Sequence, residues 1–306
     1  MKKPLLVIFL ILIFYISFVA YSDFGKFSSN ILHFKFYYIP LVLLLGFSER
    51  IILALRQQLL FKKIDINIPL KQSILLYFAS LSMTITPAGS GQVIKSYFLK
   101  KKYDYSMTKS YPIVFVERFH DLLAPLIILS ILLLFEKIST SITLVIILGI
   151  ISILVYVAVR IHKLFEYLAK ILIRLPKLQK FANNVIQSHD IFYSLTTKKI
   201  TIKSIFLSLV AWIIDAVVAY IIFNGFGLNF SFISTTIMVF SSVLFGAISL
   251  LPGGVGLTEL SLVSFLTKKG LEISLVTSVI ILTRLVGLWY PTILGFISTK
   301  LFLSKT

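Results

Sequence analysis

The sequence predicts an all-α polytopic membrane protein with about six full transmembrane helices and two re-entrant, broken-helix hairpins. Hydrophobic residues make up 58% of the 306 residues, and the mean hydropathy is +0.98. Only 14% of residues are charged, whereas a typical soluble domain has about 25%. A soluble fold of this size could not bury so much apolar surface. The apolar stretches are continuous runs without the alternation of a barrel strand, which indicates helices.

Composition also excludes several classes of function. The chain has no cysteine, which excludes disulfides, cysteine-ligated zinc and thiol catalysis. Its 4 histidines form no metal-ligand pattern, and no phosphate-binding G-x-x-x-x-G-K-[ST] loop occurs. No nucleophile–base pattern emerges either, so we expect neither an enzyme nor a cofactor. The net charge is +18, and the basic residues lie mainly in loops between apolar runs. This pattern favours an excess of Lys and Arg in cytoplasmic loops, with attraction to anionic lipid, over binding of nucleic acid.

The first two elements are predicted as full spans. Residues 1–21 form a long apolar run whose end is a poor signal-peptide cleavage site, so we interpret it as a retained helix with its N-terminus inside. A second span covers 36–57. Arg56 at its end and Lys62 after it are interpreted as marking an inside loop.

The first hairpin comprises residues 71–86, a break at 87–91 and a short helix ending near Lys102. That helix has too few residues to cross a bilayer at about 1.5 Å per residue, which predicts a re-entrant segment. The later elements follow in order: spans at 108–135 and 140–159, a basic inside segment at 160–203 with a membrane-surface helix, a span at 202–224, a second hairpin from 232 through a break at 252–256 to Lys268, and a span at 272–300.

The two breaks form part of a repeat. Residues 87–91 read P-A-G-S-G and residues 252–256 read P-G-G-V-G. Aligning them pairs Pro87 with Pro252, Gly89 with Gly254 and Gly91 with Gly256. The lysine-rich ends of the short helices then nearly coincide, and so do Arg118 and Arg284 in the long spans. The units, about 71–135 and 232–300, have opposite predicted orientations, as in the inverted repeats of secondary transporters. A repeat that serves packing alone stays open as an alternative.

Charged residues inside the apolar spans are candidates for function. Each costs roughly 2.5–3.5 kcal/mol at a helix centre on insertion scales, so an unpaired one would be disfavoured. Glu117 and Asp121 share a helix face, and Arg118 can pair with Asp121. Arg284 is the expected partner of Glu259. These groups serve either as structural ion pairs or as a lining for a polar headgroup or a proton relay. Asp215 stands alone in its span, and the pair Glu49-Arg50 either snorkels to the membrane surface or lies inside.

Four motifs together resemble the lysylphosphatidylglycerol synthase transmembrane family, a flippase-like domain that also occurs as standalone membrane proteins. They are P-A-G-S-G-Q-V-I-K (87–95), V-E-R-F-H-D (116–121), L-P-G-G-V-G-L-T-E (251–259) and T-R-L (283–285). The resemblance covers nearly the whole chain. Family members usually carry Glu and Arg in the first motif, where this chain has Gln92 and Lys95. That difference keeps a cation and removes an acid.

The resemblance implies a single flippase-like transmembrane domain over residues 1–306 that moves a lipid, often with a modified or charged headgroup, between leaflets. The two broken helices, whose short helices would present positive N-termini, and the few buried charges favour a phosphate-bearing lipid or lipid-linked headgroup. Without the soluble synthase domain, the chain is not expected to make lysyl-lipid itself. An ion-coupled small-solute transporter of the DedA type, or a scaffold for a separate lipid- or glycan-modifying enzyme, are the alternatives. We expect a cell-membrane location with both termini cytoplasmic. The expected translocation residues are Pro87, Gly89, Gly91, Gln92, Lys95, Glu117, Arg118, Asp121, Pro252, Gly253, Gly254, Gly256, Glu259 and Arg284.

Overall fold

A computed structural model describes residues 2–86, 90–136, 139–173, 186 and 188–304. Every extended regular element in this part of the chain is a helix, and no strand occurs there. The predicted all-α class is therefore confirmed.

The N-terminal helix is part of the bundle. Helix α1 (Lys2–Tyr21) is followed by α2 (Phe24–Leu32), and the two are bent by 97°. Asp23 lies at the bend with a φ of 71°, and its carboxylate accepts a hydrogen bond from the backbone N–H of Lys26, which caps α2. The side chain of Tyr15 on α1 reaches a residue of the second hairpin, Glu259.

Helices long enough to cross a bilayer form the main body of the described bundle. They are α3 (Ile39–Lys63), α6 (Met107–Leu132), α7 (Ser139–Arg160) and α10 (Lys198–Gly225). Helices α3, α7 and α10, and the last helical stretch, are both long and apolar enough to be spans, and the bent α1–α2 pair is a fifth candidate. Helix α6 has 26 residues but carries three charges in its middle. The exact number of spans stays a prediction.

Two pairs of shorter helices occupy the positions of the predicted hairpins. The first pair is α4 (Leu70–Leu81) and α5 (Ile94–Tyr103), and the second is α11 (Phe232–Ile248) and α12 (Leu257–Thr267). The second helix of each pair has 10 or 11 residues, so it is too short to cross a bilayer of about 30 Å. Pro87 and Gly89 lie outside the described residues.

The last long span contains a break that the hydropathy pattern does not predict. Helices α13 (Ile273–Arg284) and α14 (Tyr290–Leu303) are joined by a π-helical turn, Leu285–Trp289. Pro291 has no N–H, so the carbonyl of Gly287 lacks its usual helical donor. The guanidinium of Arg50 donates to this carbonyl instead, at 3.4 Å.

The shorter helices pack against the long ones. The most extensive packing joins α3 to α10 and α4 to α14, and α6 contacts α11. In the predicted repeat, α4 and α14 would correspond to α11 and α6; the repeat itself stays a prediction. At Gly295 on α14, an added Cβ would lie 2.1 Å from the backbone nitrogen of Ser82. This glycine allows the two backbones to approach closely.

The basic segment at 160–203 is described in part. Helix α8 (His162–Ile173) and helix α9 (His189–Leu195) lie in it, whereas residues 174–185 and 187 are outside the described chain. Phe165 on α8 packs against Phe192 on α9, with ring centroids 5.8 Å apart. The surface location of this segment stays a prediction.

Candidate functional site

Three adjoining cavities lie inside the described helix bundle, and we call them together the central chamber. Their volumes are about 160, 280 and 100 Å³. Trp212 on α10 lines all three, and Arg284 on α13 lines the first two. The chamber reaches the surface of the bundle, because its lining includes the exposed residues Leu251 and Gly287.

Helix α3 contributes one charged wall. Residues 49, 50, 53, 56 and 57 recur at helical spacing, which places them on one face. Arg50 donates to Glu49 at 2.6 Å, and both line the first and third cavities. Glu49 is buried at 6% exposure. The pair therefore lies inside the bundle, and the snorkelling alternative is wrong.

Helix α6 contributes a carboxylate shared by two arginines. Asp121 forms an ion pair with Arg118 at 2.7 Å, as its spacing predicts, and a second ion pair with Arg56. Arg56 is fully buried within α3 and donates to the hydroxyl of Ser208 at 2.7 Å. Its assignment to an inside loop was wrong, because α3 continues to Lys63. Arg118 and Asp121 both line the second and third cavities.

The second hairpin places Glu259 at the chamber with three donors. The carboxylate accepts from Arg284 Nε at 2.6 Å, from Tyr15 Oη at 2.8 Å and from the backbone N–H of Gly256 at 2.7 Å. The expected Glu259–Arg284 pair is thus present. The carboxylate also caps the N-terminus of α12, so a negative charge from the chain itself already lies at that helix end.

Glycines shape the break before α12. Gly253, Gly254 and Gly256 have φ values of 61°, 66° and 99°, which residues with a side chain rarely adopt. The turn brings the carbonyl of Gly254 to 3.4 Å from Arg284 Nη2. Gly253 and Gly254 line the second cavity, whereas Pro252 and Gly256 do not appear in the lining of the three cavities.

A second ion pair lies behind the chamber. Lys95 on α5 donates to Glu117 on α6 at 2.6 Å, and both side chains are fully buried. Lys95 also donates to Gln57 Oε1 at 3.0 Å. This pair joins the short helix to the long helix of the first unit, as Glu259–Arg284 does in the second, with acid and base exchanged. Neither Lys95 nor Glu117 lines the three cavities.

The described end of the first hairpin is polar but close-packed. The backbone N–H of Gly91 donates to Thr86 Oγ1 at 2.6 Å, and Gln92 Nε2 donates to Thr84 Oγ1 at 3.2 Å. Gln92 lines the third cavity, where its Oε1 has no hydrogen-bond partner among the described residues. Gln92 therefore presents a neutral amide, and no acid, to the third cavity.

Helix α10 supplies residues that the list of expected site residues lacked. Ser204, Ser208, Trp212 and Asp215 recur at helical spacing on one face, which meets α3 and α6. Trp212 packs edge-on against Phe240, and Asp215 lines the first cavity. Their periodicity was readable from the sequence, but nothing in the sequence showed that α10 lies against α3.

The chamber is thus an ionic, oxygen-rich space inside an apolar bundle. Three guanidinium groups line it, from Arg50, Arg118 and Arg284. Guanidinium groups bind phosphate through paired N–H donors. No cluster of three or more metal-ligating side chains occurs in the described part of the chain. The arrangement suits binding of a polar, anionic group.

Comparison with known proteins supports the resemblance. The family described as the lysylphosphatidylglycerol synthase TM region matches residues 5–295. A UPF0104 membrane protein of Pyrococcus horikoshii is 26% identical over 284 residues, which is 84% of this chain and 85% of the relative. Another, from Methanocaldococcus jannaschii, is 30% identical over 217 residues, 70% of this chain and 91% of the relative.

The family match extends over both hairpins, and the chain is an integral membrane protein. The protein belongs to the family of the lysylphosphatidylglycerol synthase transmembrane region.

Proposed function

We propose that this protein moves a lipid with a phosphate-bearing headgroup between the leaflets of the membrane, without hydrolysing ATP. The observation that carries the proposal is the central chamber: an ionic cavity system inside an apolar helix bundle that reaches the bundle surface at Leu251 and Gly287. A lipid headgroup needs a polar path through the bilayer interior, and its acyl chains need an apolar surface beside that path.

The size of the chamber supports a headgroup as the occupant. The largest cavity has a volume of about 280 Å³, near the lower end of the roughly 300–1,000 Å³ of small-molecule sites. It holds a headgroup and leaves no room for two acyl chains. Those chains would stay outside, against large exposed apolar side chains such as those of α7: Ile146, Ile147, Ile150, Ile151, Ile153 and Leu154.

The charge pattern supports a phosphate. Arg118 and Arg284 lie on the wall of the largest cavity, and each is held by a carboxylate, Asp121 or Glu259. Each arginine keeps further N–H donors for a ligand, because guanidinium has five. In this proposal the carboxylates orient the arginines, and the glycine turn at 253–254 lets a headgroup approach the backbone.

The proposal has no catalytic step and no cofactor. It places the protein in the cell membrane with both termini in the cytoplasm, where the basic loops would meet anionic lipid. A separate lipid- or glycan-modifying enzyme would supply the lipid.

Leaflet exchange in proteoliposomes tests the proposal. Fluorescent phospholipids and polyprenyl-phosphate lipids are reconstituted with the protein, and a membrane-impermeant reductant quenches the outer leaflet. We expect exchange of a phosphate-bearing lipid by the wild type, and slower exchange by Arg118→Ala and Glu259→Gln at equal amounts of inserted protein. Lys26→Met, on an exposed residue that does not line the chamber, is the control and should exchange at the wild-type rate. Uptake of a soluble phosphate ester without lipid exchange would overturn the proposal in favour of a solute transporter.

A further inference from the structure

Asp215 differs from the other acidic residues in the interior of the bundle. It lies on α10, one turn after Trp212, and lines the 160 Å³ cavity half-buried. Its carboxylate makes no hydrogen bond and no ion pair within 4 Å among the described residues, and the charge of Arg50, which lines the same cavity, acts on it from beyond that distance. A carboxylate in this location needs a positive partner, because an isolated charge inside a membrane protein is strongly disfavoured.

The direct ion pairs among the described interior charges do not include Asp215. The described interior holds five carboxylates and five cationic groups, so their formal charges balance: Glu49, Glu117, Asp121, Asp215 and Glu259 against Arg50, Arg56, Lys95, Arg118 and Arg284. Asp121, however, holds two arginines. Asp215 is consequently the carboxylate without a direct partner, although the total charge is balanced.

The surroundings of Asp215 provide oxygen ligands and paired charges. From α3, Glu49 and Arg50 face the same cavity, and from α12 and α13 the pair of Glu259 and Arg284 does so. Arg118 and Asp121 on α6 line the adjoining cavities. Three hydroxyl groups complete the lining, from Ser242 on α11, Thr258 on α12 and Thr283 on α13. Those of Ser242 and Thr283 donate to carbonyls of their own helices, which leaves their oxygen lone pairs available.

We propose that Asp215 is the binding site for a small monovalent cation, H⁺ or Na⁺, whose occupancy is coupled to translocation of the lipid headgroup. This inference rests on the proposed function. A carboxylate with nearby hydroxyl oxygens suits a hard cation as well as a proton. The 160 Å³ cavity that Asp215 lines is adjacent to the 280 Å³ cavity of the proposed headgroup site, because Arg284, Trp212 and Thr258 line both.

Charge balance explains why the two ligands would be coupled. The empty interior is formally neutral, so an entering phosphodiester would make it negative. A cation on Asp215 cancels that charge, and each ligand therefore stabilises the binding of the other. A pH gradient of about one unit, coupled one proton to one lipid, would sustain about a tenfold ratio of lipid between leaflets.

Tryptophan fluorescence tests the cation site independently of transport. The chain has 2 tryptophans, Trp212 and Trp289, and Trp289→Phe leaves Trp212 as the reporter in the chamber wall. We expect its emission to change with Na⁺ or with pH, and the change to disappear in Asp215→Asn. Asp190→Asn is the control, because Asp190 is fully exposed on α9, and it should keep the response. A titration in Na⁺ at constant pH, and one in pH without Na⁺, identify the cation.

A gradient experiment tests the coupling. Proteoliposomes with an imposed gradient of one pH unit, or a tenfold gradient of Na⁺, should accumulate the fluorescent lipid about tenfold in one leaflet. The Asp215→Asn variant should exchange lipid without accumulating it. Asp215→Glu, which keeps the carboxylate, should retain accumulation. No cation response of Trp212 in the wild-type chamber, or an equal response in Asp215→Asn, would overturn the inference.

Two further outcomes separate this inference from the proposed function. An Asp215-dependent cation response without lipid exchange would support the cation site and contradict the lipid translocase. Gradient-independent exchange, slowed by Asp215→Asn only for lipids with an amine in the headgroup, would overturn the inference and assign Asp215 to headgroup recognition.

Discussion

The buried pair of Lys95 and Glu117 offers a quantitative test of how the interior charges stabilise the bundle. Both side chains have 0% exposure, and the ammonium also donates to Gln57. Glu117→Leu would leave this ammonium buried with one neutral acceptor. Removing one partner of a buried pair costs about 3–5 kcal/mol. At about 2–4 °C per kcal/mol, the melting temperature in detergent should fall by roughly 6–20 °C.

The double variant Lys95→Met/Glu117→Leu should recover most of that loss, because apolar side chains of similar volume replace both charges. Thermal unfolding followed by size-exclusion chromatography measures all three variants. The exposed pair Lys26–Glu272, with side chains 60% and 69% exposed, is the control, and Lys26→Met should cost less than about 1 kcal/mol. A double variant no more stable than Glu117→Leu would refute the reasoning, as would a single variant as stable as the wild type.

Two other substitutions have expected outcomes. Gly295→Ala should destabilise the protein by about 1–3 kcal/mol or more, since its Cβ would collide with the backbone at Ser82. Gly149→Ala is the control: an added Cβ there meets nothing within 4 Å, so this variant should be neutral or stabilised by up to about 1 kcal/mol. Equal melting temperatures of the two variants would contradict the close approach of α4 and α14. Tyr15→Phe removes one donor to Glu259 and should cost about 1.5–3 kcal/mol, the usual value for a hydrogen bond to a charged group, and an unchanged melting temperature would show that α1 does not support the chamber.

Much of the fold could be predicted because hydropathy and glycine-proline breaks are local signals. The predicted short helix ending near Lys102 is observed as Ile94–Tyr103, and the predicted span 202–224 is observed as Lys198–Gly225. The π-helical turn before Pro291 was missed, because a proline inside an apolar run is compatible with an ordinary span. The inverted orientation of the units stays a prediction, since it depends on the position of the membrane.

The ion pairs of the site could be predicted only in part. Arg118–Asp121 follows from helical spacing, and Glu259–Arg284 follows from the opposite charges of two residues in the apolar elements that flank the second break. Lys95–Glu117 joins the corresponding elements of the first unit with acid and base exchanged. The register of the repeat aligns Arg118, not Glu117, with Arg284 and therefore did not indicate this pair.

Arg56 and Tyr15 could not be found in this way. Arg56 lies near lysines at the end of α3, which resembles the basic end of an inside loop, and only its burial against Asp121 shows otherwise. Tyr15 is one of 14 tyrosines in the chain, and its contact with Glu259 spans nearly the whole sequence. Both contacts depend on tertiary packing.

The most direct test of the account is the rate of leaflet exchange of a phosphate-bearing lipid by the Arg284→Ala variant in proteoliposomes, compared with the wild type. Arg284 lies between the two larger cavities and is held by Glu259. If the chamber is the path of the headgroup, exchange should fall by about tenfold or more, the effect of losing at least 1.4 kcal/mol of interaction with the moving phosphate. A folded Arg284→Ala protein that exchanges lipid at the wild-type rate would contradict the account.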